Sequence, residues 1–224
     1  MWLFKSVVGK KIIMAVTGIL MFIFVLIHLA GNMTIFSGWI NAYGEHLHAF
    51  PLMVWAARAA LIPIFLLHVF MGIHLTLQNN NARPQAYVMK QNLRATFSGR
   101  TMIWTGLVLL GFILYHLLHF SFQIIYPEFA ANLPANKDAL GRPDVFKMIV
   151  SGFQQIPLAG LYVVGLIVLG LHLRHGVQSV FQSIGLNSEK SLPVFDRISI
   201  VGSVVILIGY ASIPVAIFLG WISL

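Results

Sequence analysis

Nine histidines are the residues most able to do chemistry in this chain: His28, His46, His48, His68, His74, His116, His119, His172 and His175. Imidazole is the commonest metal ligand among side chains. Cysteine is absent, so the chain forms no disulfide, attaches no haem through C-x-x-C-H and holds no iron–sulfur cluster by thiolates. Any metal held here is held by histidine. In LIVLGLHLRHGVQSV, residues 166–180, an apolar run leads straight into His172, Arg174 and His175. Polar groups inside a membrane helix are costly unless something compensates for them.

The rest of the chain places those groups in lipid. Of 224 residues, 58% are hydrophobic and 9% charged, whereas soluble domains carry about 25% charge. An integral membrane protein is expected, all-α and a single membrane domain over 1–224, with spans near 11–36, 52–78, 101–126, 156–182 and 198–222, since about 20 apolar residues cross a bilayer. The run from Ile12 to Ala30 is too long for a signal-peptide core and reads as the first span. Lys+Arg number 14 against 6 Asp+Glu. This excess lies in loops, so it speaks for orientation rather than for nucleic acid.

Lys5, Lys10 and Lys11 precede the first span; Arg83, Lys90, Arg94 and Arg100 lie in or border the second loop, and Lys190 and Arg197 flank the fifth span. The positive-inside rule makes these cytoplasmic, with the N-terminus inside. Trp39, Trp55 and Trp221 then fall at outer interfaces, where tryptophan is enriched. No internal repeat, low-complexity tract or nucleotide-binding glycine loop is expected.

Depth sorts the histidines. His28 lies 17 residues past Lys11 and His116 lies 16 past Arg100, both about 25 Å from the inner side at 1.5 Å per residue. On the descending spans, His68 is 17 residues past Pro51 and His172 is 15 past Pro157, about 22 to 25 Å from the outer side. Four antiparallel helices thus offer an outer pair, His28 and His116, and an inner pair, His68 and His172. Two bis-histidine haems fit that pattern. Gly72 and Gly176, four residues after His68 and His172, lie on the ligand face. Arg174, His175 and His119 are candidates for haem propionate contacts.

With both axial positions filled by imidazole, a haem only relays electrons. Two haems across a bilayer imply electron transfer between its faces, with a quinone as the simplest partner in lipid. Quinone chemistry also moves protons, and the outer cluster of Glu45, His46 and His48 makes Glu45 the candidate for that exchange.

The segments IHLAGN around His28, LLHVFMGIHL around His68, ILYHLLHF around His116 and GLHLRHGVQSVFQSIG around His172 resemble the di-haem cytochrome b anchors of succinate dehydrogenases and fumarate reductases. The resemblance implies two haem b groups, an iron–sulfur subunit and an FAD flavoprotein on the cytoplasmic face, menaquinone as substrate, and a place in a bacterial cytoplasmic membrane. It implies no dicarboxylate chemistry in this chain. All six acids lie outside the apolar spans, which leaves no transmembrane carboxylate relay. The alternatives are the cytochrome b subunit of a membrane hydrogenase or formate dehydrogenase and, from another class, a histidine-lined transporter.

Overall fold

The computed structural model describes residues 2–82 and 96–224; Arg83, Lys90 and Arg94 of the second loop lie outside the described residues. A short α1 (Trp2–Lys5) leads into α2 (Val7–Met33), whose N-terminus is capped by the Ser6 hydroxyl accepting from the Gly9 N–H at 3.0 Å. A 3-10 turn, Thr34–Ser37, and Gly38 at φ +73° reverse the chain into α3 (Ile40–His48) and α4 (Pro51–Asn81). Then come α5 (Phe97–Arg100), α6 (Met102–His116), a π-helical turn over Leu117–Ser121, α7 (Val145–Phe153), α8 (Ile156–Ser183) and α9 (Leu192–Phe218).

Five helical segments among the described residues are long and apolar enough to cross a membrane: Val7–Ser37, Pro51–Asn81, Met102–Ser121, Ile156–Ser183 and Leu192–Phe218. The chain is a multi-pass membrane protein built as a helical bundle, as expected. The bounds differ most at two places. The third span ends at Ser121 rather than near 126, because the helix widens into the π turn after His116 and Gln123 and Tyr126 then adopt left-handed φ values of 55° and 54°. The fifth starts at Leu192 rather than 198, with Pro193 in the first turn, where its missing N–H costs nothing, and it takes in Asp196, which the expected bounds leave outside.

Large apolar side chains cover the outside of the spans, among them Ile27, Leu66, Val164 and Val205. In water such a surface would aggregate; in hydrocarbon it is the solvated face. A cluster of buried side chains, among them Ile35, Ile40, Val150, Phe153, Tyr162 and Ile213, lies at the end of the bundle expected to face outward. Buried Asn41 joins the two loops above it. Its amide donates to Asp144 at 3.0 Å and its carbonyl accepts from the Phe146 N–H at 2.8 Å. Span α9 closes the bundle through close approaches at glycine: a Cβ at Gly209 would sit 2.9 Å from Leu29 of α2, and one at Gly170 of α8 would sit 3.6 Å from Leu207 of α9.

Candidate functional site: two facing histidine pairs

His68 of α4 faces His172 of α8, ring centroids 6.4 Å apart and planes at 65°. His28 of α2 faces His116 of α6, centroids 5.9 Å apart and planes at 86°. Each ring belongs to a different helix, and the partners are those that the depth reading puts on one level. Metal–imidazole bonds are about 2 Å long, and a ring centroid lies about 1 Å behind its ligating nitrogen, so two imidazoles on opposite sides of one metal ion have centroids about 6 Å apart. Both pairs have the spacing for one iron between them.

The inner pair is also prepared chemically. Thr17 of α2 donates its hydroxyl hydrogen to the carbonyls of Ile13, at 2.8 Å, and Met14, at 3.1 Å. A hydroxyl has one hydrogen. Toward His68 Nδ1, 3.1 Å away, Thr17 therefore accepts, and the proton sits on Nδ1. Thr105 of α6 does the same: it donates to the Met102 carbonyl at 3.0 Å and accepts from His172 Nδ1 at 3.1 Å. Both rings are held as the tautomer whose Nε2 carries a free lone pair, as a metal-ligating histidine requires. The glycines that follow these threonines let the rings lie against the neighbouring backbone. A Cβ at Gly18 or Gly106 would come 3.4 Å from Cε1 of His68 or His172.

The outer pair sits among aromatic rings instead. Phe24 stacks on His28 at 5.4 Å, and His116 is flanked by Phe120 at 5.6 Å and Tyr162 at 6.1 Å. Among the described residues no ring nitrogen of His28 or His116 has a hydrogen-bond partner. Tyr210 of α9 donates to the Val25 carbonyl at 2.8 Å, fixing α2 one turn before His28.

These contacts repeat. Met14, Thr17, Gly18 and His28 on α2 recur 88 positions later as Met102, Thr105, Gly106 and His116 on α6. His68 and Gly72 on α4 recur 104 positions later as His172 and Gly176 on α8. A Cβ at Gly72 would meet Met14 Cε at 3.7 Å, and one at Gly176 would meet Met102 Cε at 3.8 Å. The two helix pairs are related by a pseudo-twofold running between the partners of each histidine pair, the kind of parallel repeat whose axis follows the membrane normal. This corrects the expectation of no internal repeat. The signal is a few spaced residues in apolar filler, with different offsets on the ascending and descending helices, so no continuous stretch matches another.

The remaining candidates are dispersed. His175 Nδ1 is buried with no partner among the described residues, and its ring lies 3.0 Å from where a Cβ at Gly99 would be. That orphaned nitrogen, with half-buried Arg174 beside it in sequence, suits an anionic group near the inner pair. His119, displaced by the π turn, is hydrogen-bonded through Nδ1 to Tyr162 at 2.9 Å and packs on Phe120 at 4.0 Å. His74 accepts from the Lys10 ammonium at 2.8 Å, and Lys10 also donates to Gln78 at 3.0 Å. Glu45 is exposed on α3 and lies 3.8 Å from Arg142.

A cavity of about 280 Å³ beside α3 is lined by Tyr43, His46, Leu47, Phe50 and Met53. Tyr43 joins it to the outer pair. Its hydroxyl lies where a Cβ at Gly31 would be, 2.7 Å away, and Gly31 is one turn past His28. Thr17, Thr105, Gly18, Gly106, Gly31 and Tyr43 are site residues that neither composition nor depth along the helices marks. The recurring Thr-Gly, 11 residues ahead of each outer histidine, is the signal that could have revealed four of them.

Residues 76–211 match the family described as succinate dehydrogenase/fumarate reductase transmembrane subunit. The match holds His116 and His172; His28 and His68 precede it. No curated protein and no solved structure matches the chain.

Proposed function

The chain belongs to the succinate dehydrogenase/fumarate reductase transmembrane subunit family, and from that premise we propose that it is the membrane anchor that carries electrons between an iron–sulfur and flavoprotein pair on the cytoplasmic face and menaquinone in the bilayer, through two b haems. The supporting observation is the pair of facing histidines at each of two levels, 6.4 and 5.9 Å between rings. Each haem supplies a one-electron carrier with no coordination position open to substrate.

His68 and His172 hold the inner haem, and Thr17 and Thr105 keep their Nε2 lone pairs free for iron. His28 and His116 hold the outer one. Arg174 and the Nδ1 of His175, which has no partner among the described residues, would meet the propionates of the inner haem. The spans supply a dry, low-dielectric sheath. In this reading the basic inner segments, Lys5 to Lys11 and the chain around Arg100 and Lys190, dock the iron–sulfur subunit, which puts its clusters beside the inner pair. The membrane is then the bacterial cytoplasmic membrane.

The cavity beside Tyr43 and His46 accepts the quinone head group: it is apolar, has two hydrogen-bonding side chains, and one of them, Tyr43, reaches α2 one turn from His28. Glu45, exposed at its rim, passes protons to the outer aqueous phase. The family also decides between the electron-transfer alternatives, since a hydrogenase or formate dehydrogenase subunit is a different assignment.

A reduced-minus-oxidised spectrum of the purified complex, with haem quantified against protein, tests the reading. Two low-spin b haems per chain, with an iron–sulfur and a flavin-containing subunit co-purifying, are expected. A complex free of haem overturns it.

A further inference from the structure

Where the internal repeat breaks, it points to a residue that the haem reading has not used. The 104-residue offset that carries His172 to His68 and Gly176 to Gly72 carries Tyr162 to Arg58. Tyr162 is buried against the outer pair, its ring 6.1 Å from that of His116. By the pseudo-twofold, Arg58 holds the corresponding place beside His28.

Helical phase agrees with this. Leu75, Met71, His68, Ile64 and Leu61 make the stripe of α4 that faces the bundle; Arg58 is exposed beside that stripe, ten residues before His68, at the same phase as Tyr162 has ten residues before His172 on α8. Arg58 lies within the span Pro51–Asn81. It is ten residues from His68, about 15 Å nearer the outer side at 1.5 Å per residue. A guanidinium inside an apolar span is costly unless it meets an anion. Among the described residues Arg58 meets no carboxylate: the ion pairs there are those of Arg142. Its guanidinium carbon lies 5.0 Å over the ring of Trp55, one turn outward.

We propose that Arg58 pairs with a propionate of the outer haem, on the ground that the repeat sets it at the level of His28 and His116 with no protein anion to meet. This rests on the haem reading above. A haem b carries two carboxylates on one edge, and the guanidinium fork binds a carboxylate through two parallel N–H···O bonds. A fixed positive charge at that edge favours the reduced haem, whose iron carries one positive charge fewer. Arg58 thereby raises the potential of the outer haem above what its ligands alone would set. The repeat partner at this position is uncharged, so the effect falls on one edge of one haem.

The test is a redox titration of the detergent-purified complex, followed in the haem absorption band. Arg58→Gln is expected to retain both haems and to shift one of the two midpoint potentials negative, leaving the other in place. The shifted component should be the one whose spectrum changes in His28→Met. Arg58→Lys, which keeps the charge, should restore most of the potential. Arg58→Tyr copies the repeat partner and serves if the glutamine variant fails to assemble, with the same negative shift expected. Two haems with unchanged potentials in both charge-removing variants would overturn the proposal and leave Arg58 as an interfacial anchor to lipid phosphates. A shift confined to the inner haem would overturn it as well. A wild-type complex that contains no haem would instead sink the reading on which this rests.

Discussion

Thr17 accepts a hydrogen bond from the Nδ1–H of His68 across the α2–α4 interface at 3.1 Å, while its own hydroxyl hydrogen goes to the carbonyl of Ile13. This bond decides which nitrogen of His68 is free. Groups that orient a metal-bound histidine in this way are worth about 10- to 100-fold in metal affinity. Thr17→Val, which keeps the shape and removes the acceptor, is therefore expected to lower inner-haem retention at least 10-fold in purified protein, whereas Thr17→Ser keeps it. Haem content by pyridine haemochrome measures the loss. Equal haem in Val and wild type would show that His68 is held by packing alone.

Pairing gives a second expectation. Replacing one of two axial imidazoles changes the spin state or the retention of that haem only. His68→Met and His172→Met should share one spectral defect, and His28→Met and His116→Met should share another, by low-temperature reduced-minus-oxidised spectra. Equivalent spectra for His68→Met and His116→Met would break the assignment.

Gly31 lets Tyr43 lie against α2. Since a Cβ there would stand 2.7 Å from the Tyr43 hydroxyl, Gly31→Ala should push the ring into the cavity lined by His46 and Phe50. Quinone turnover is expected to fall several-fold with both haems present and with dye-linked succinate oxidation unchanged. Glu45→Gln should lower the same turnover by slowing proton exchange. Unaltered quinone kinetics in both variants would move the quinone site elsewhere.

Asp138 sets the acid limit of the outer loop. Burial pushes its carboxyl upward, but the N–H of Arg142, the Arg142 guanidinium and the N–H of Leu140 outweigh this and hold it below its ordinary value of 3.8. A group depressed in the folded state contributes stability that is complete above its unfolded pKa and disappears as the pH falls through its folded one. The loop over 136–147 should accordingly resist protease in detergent above pH 4 and open only below its ordinary carboxyl range. Asp138→Asn should open it at neutral pH, because the amide cannot hold the guanidinium as a carboxylate does. Equal protection of Asn variant and wild type at pH 7 would show that Asn41 and Asn136 hold the loop without it.

Much of this architecture is legible along the chain. Apolar runs of membrane length determine the five spans, because an unpaired backbone in hydrocarbon leaves helix as the only local solution. Depth follows from a constant rise per residue, so counting from Lys11, Pro51, Arg100 and Pro157 was enough to match His28 with His116 and His68 with His172. Those are the rings that face each other in the structure. Counting along a helix fixes height and phase, both local properties.

Tertiary structure decided what lies between helices. That Thr17 reaches His68 and Thr105 reaches His172 depends on which faces of α2 and α4, and of α6 and α8, come together. In lipid that choice is made by close packing at glycines such as Gly18 and Gly106, and not by a hydrophobic stripe, because every face of such a helix is apolar. Outside the membrane, Asn41 finds Asp144 and Phe146 more than 100 residues away, and the turn that buries His119 against Tyr162 is a widening of one helix. A sequence fixes each helix by bonds within itself. The partners of a threonine or a buried asparagine are settled only when separate helices pack, since no local periodicity encodes which helix lies opposite.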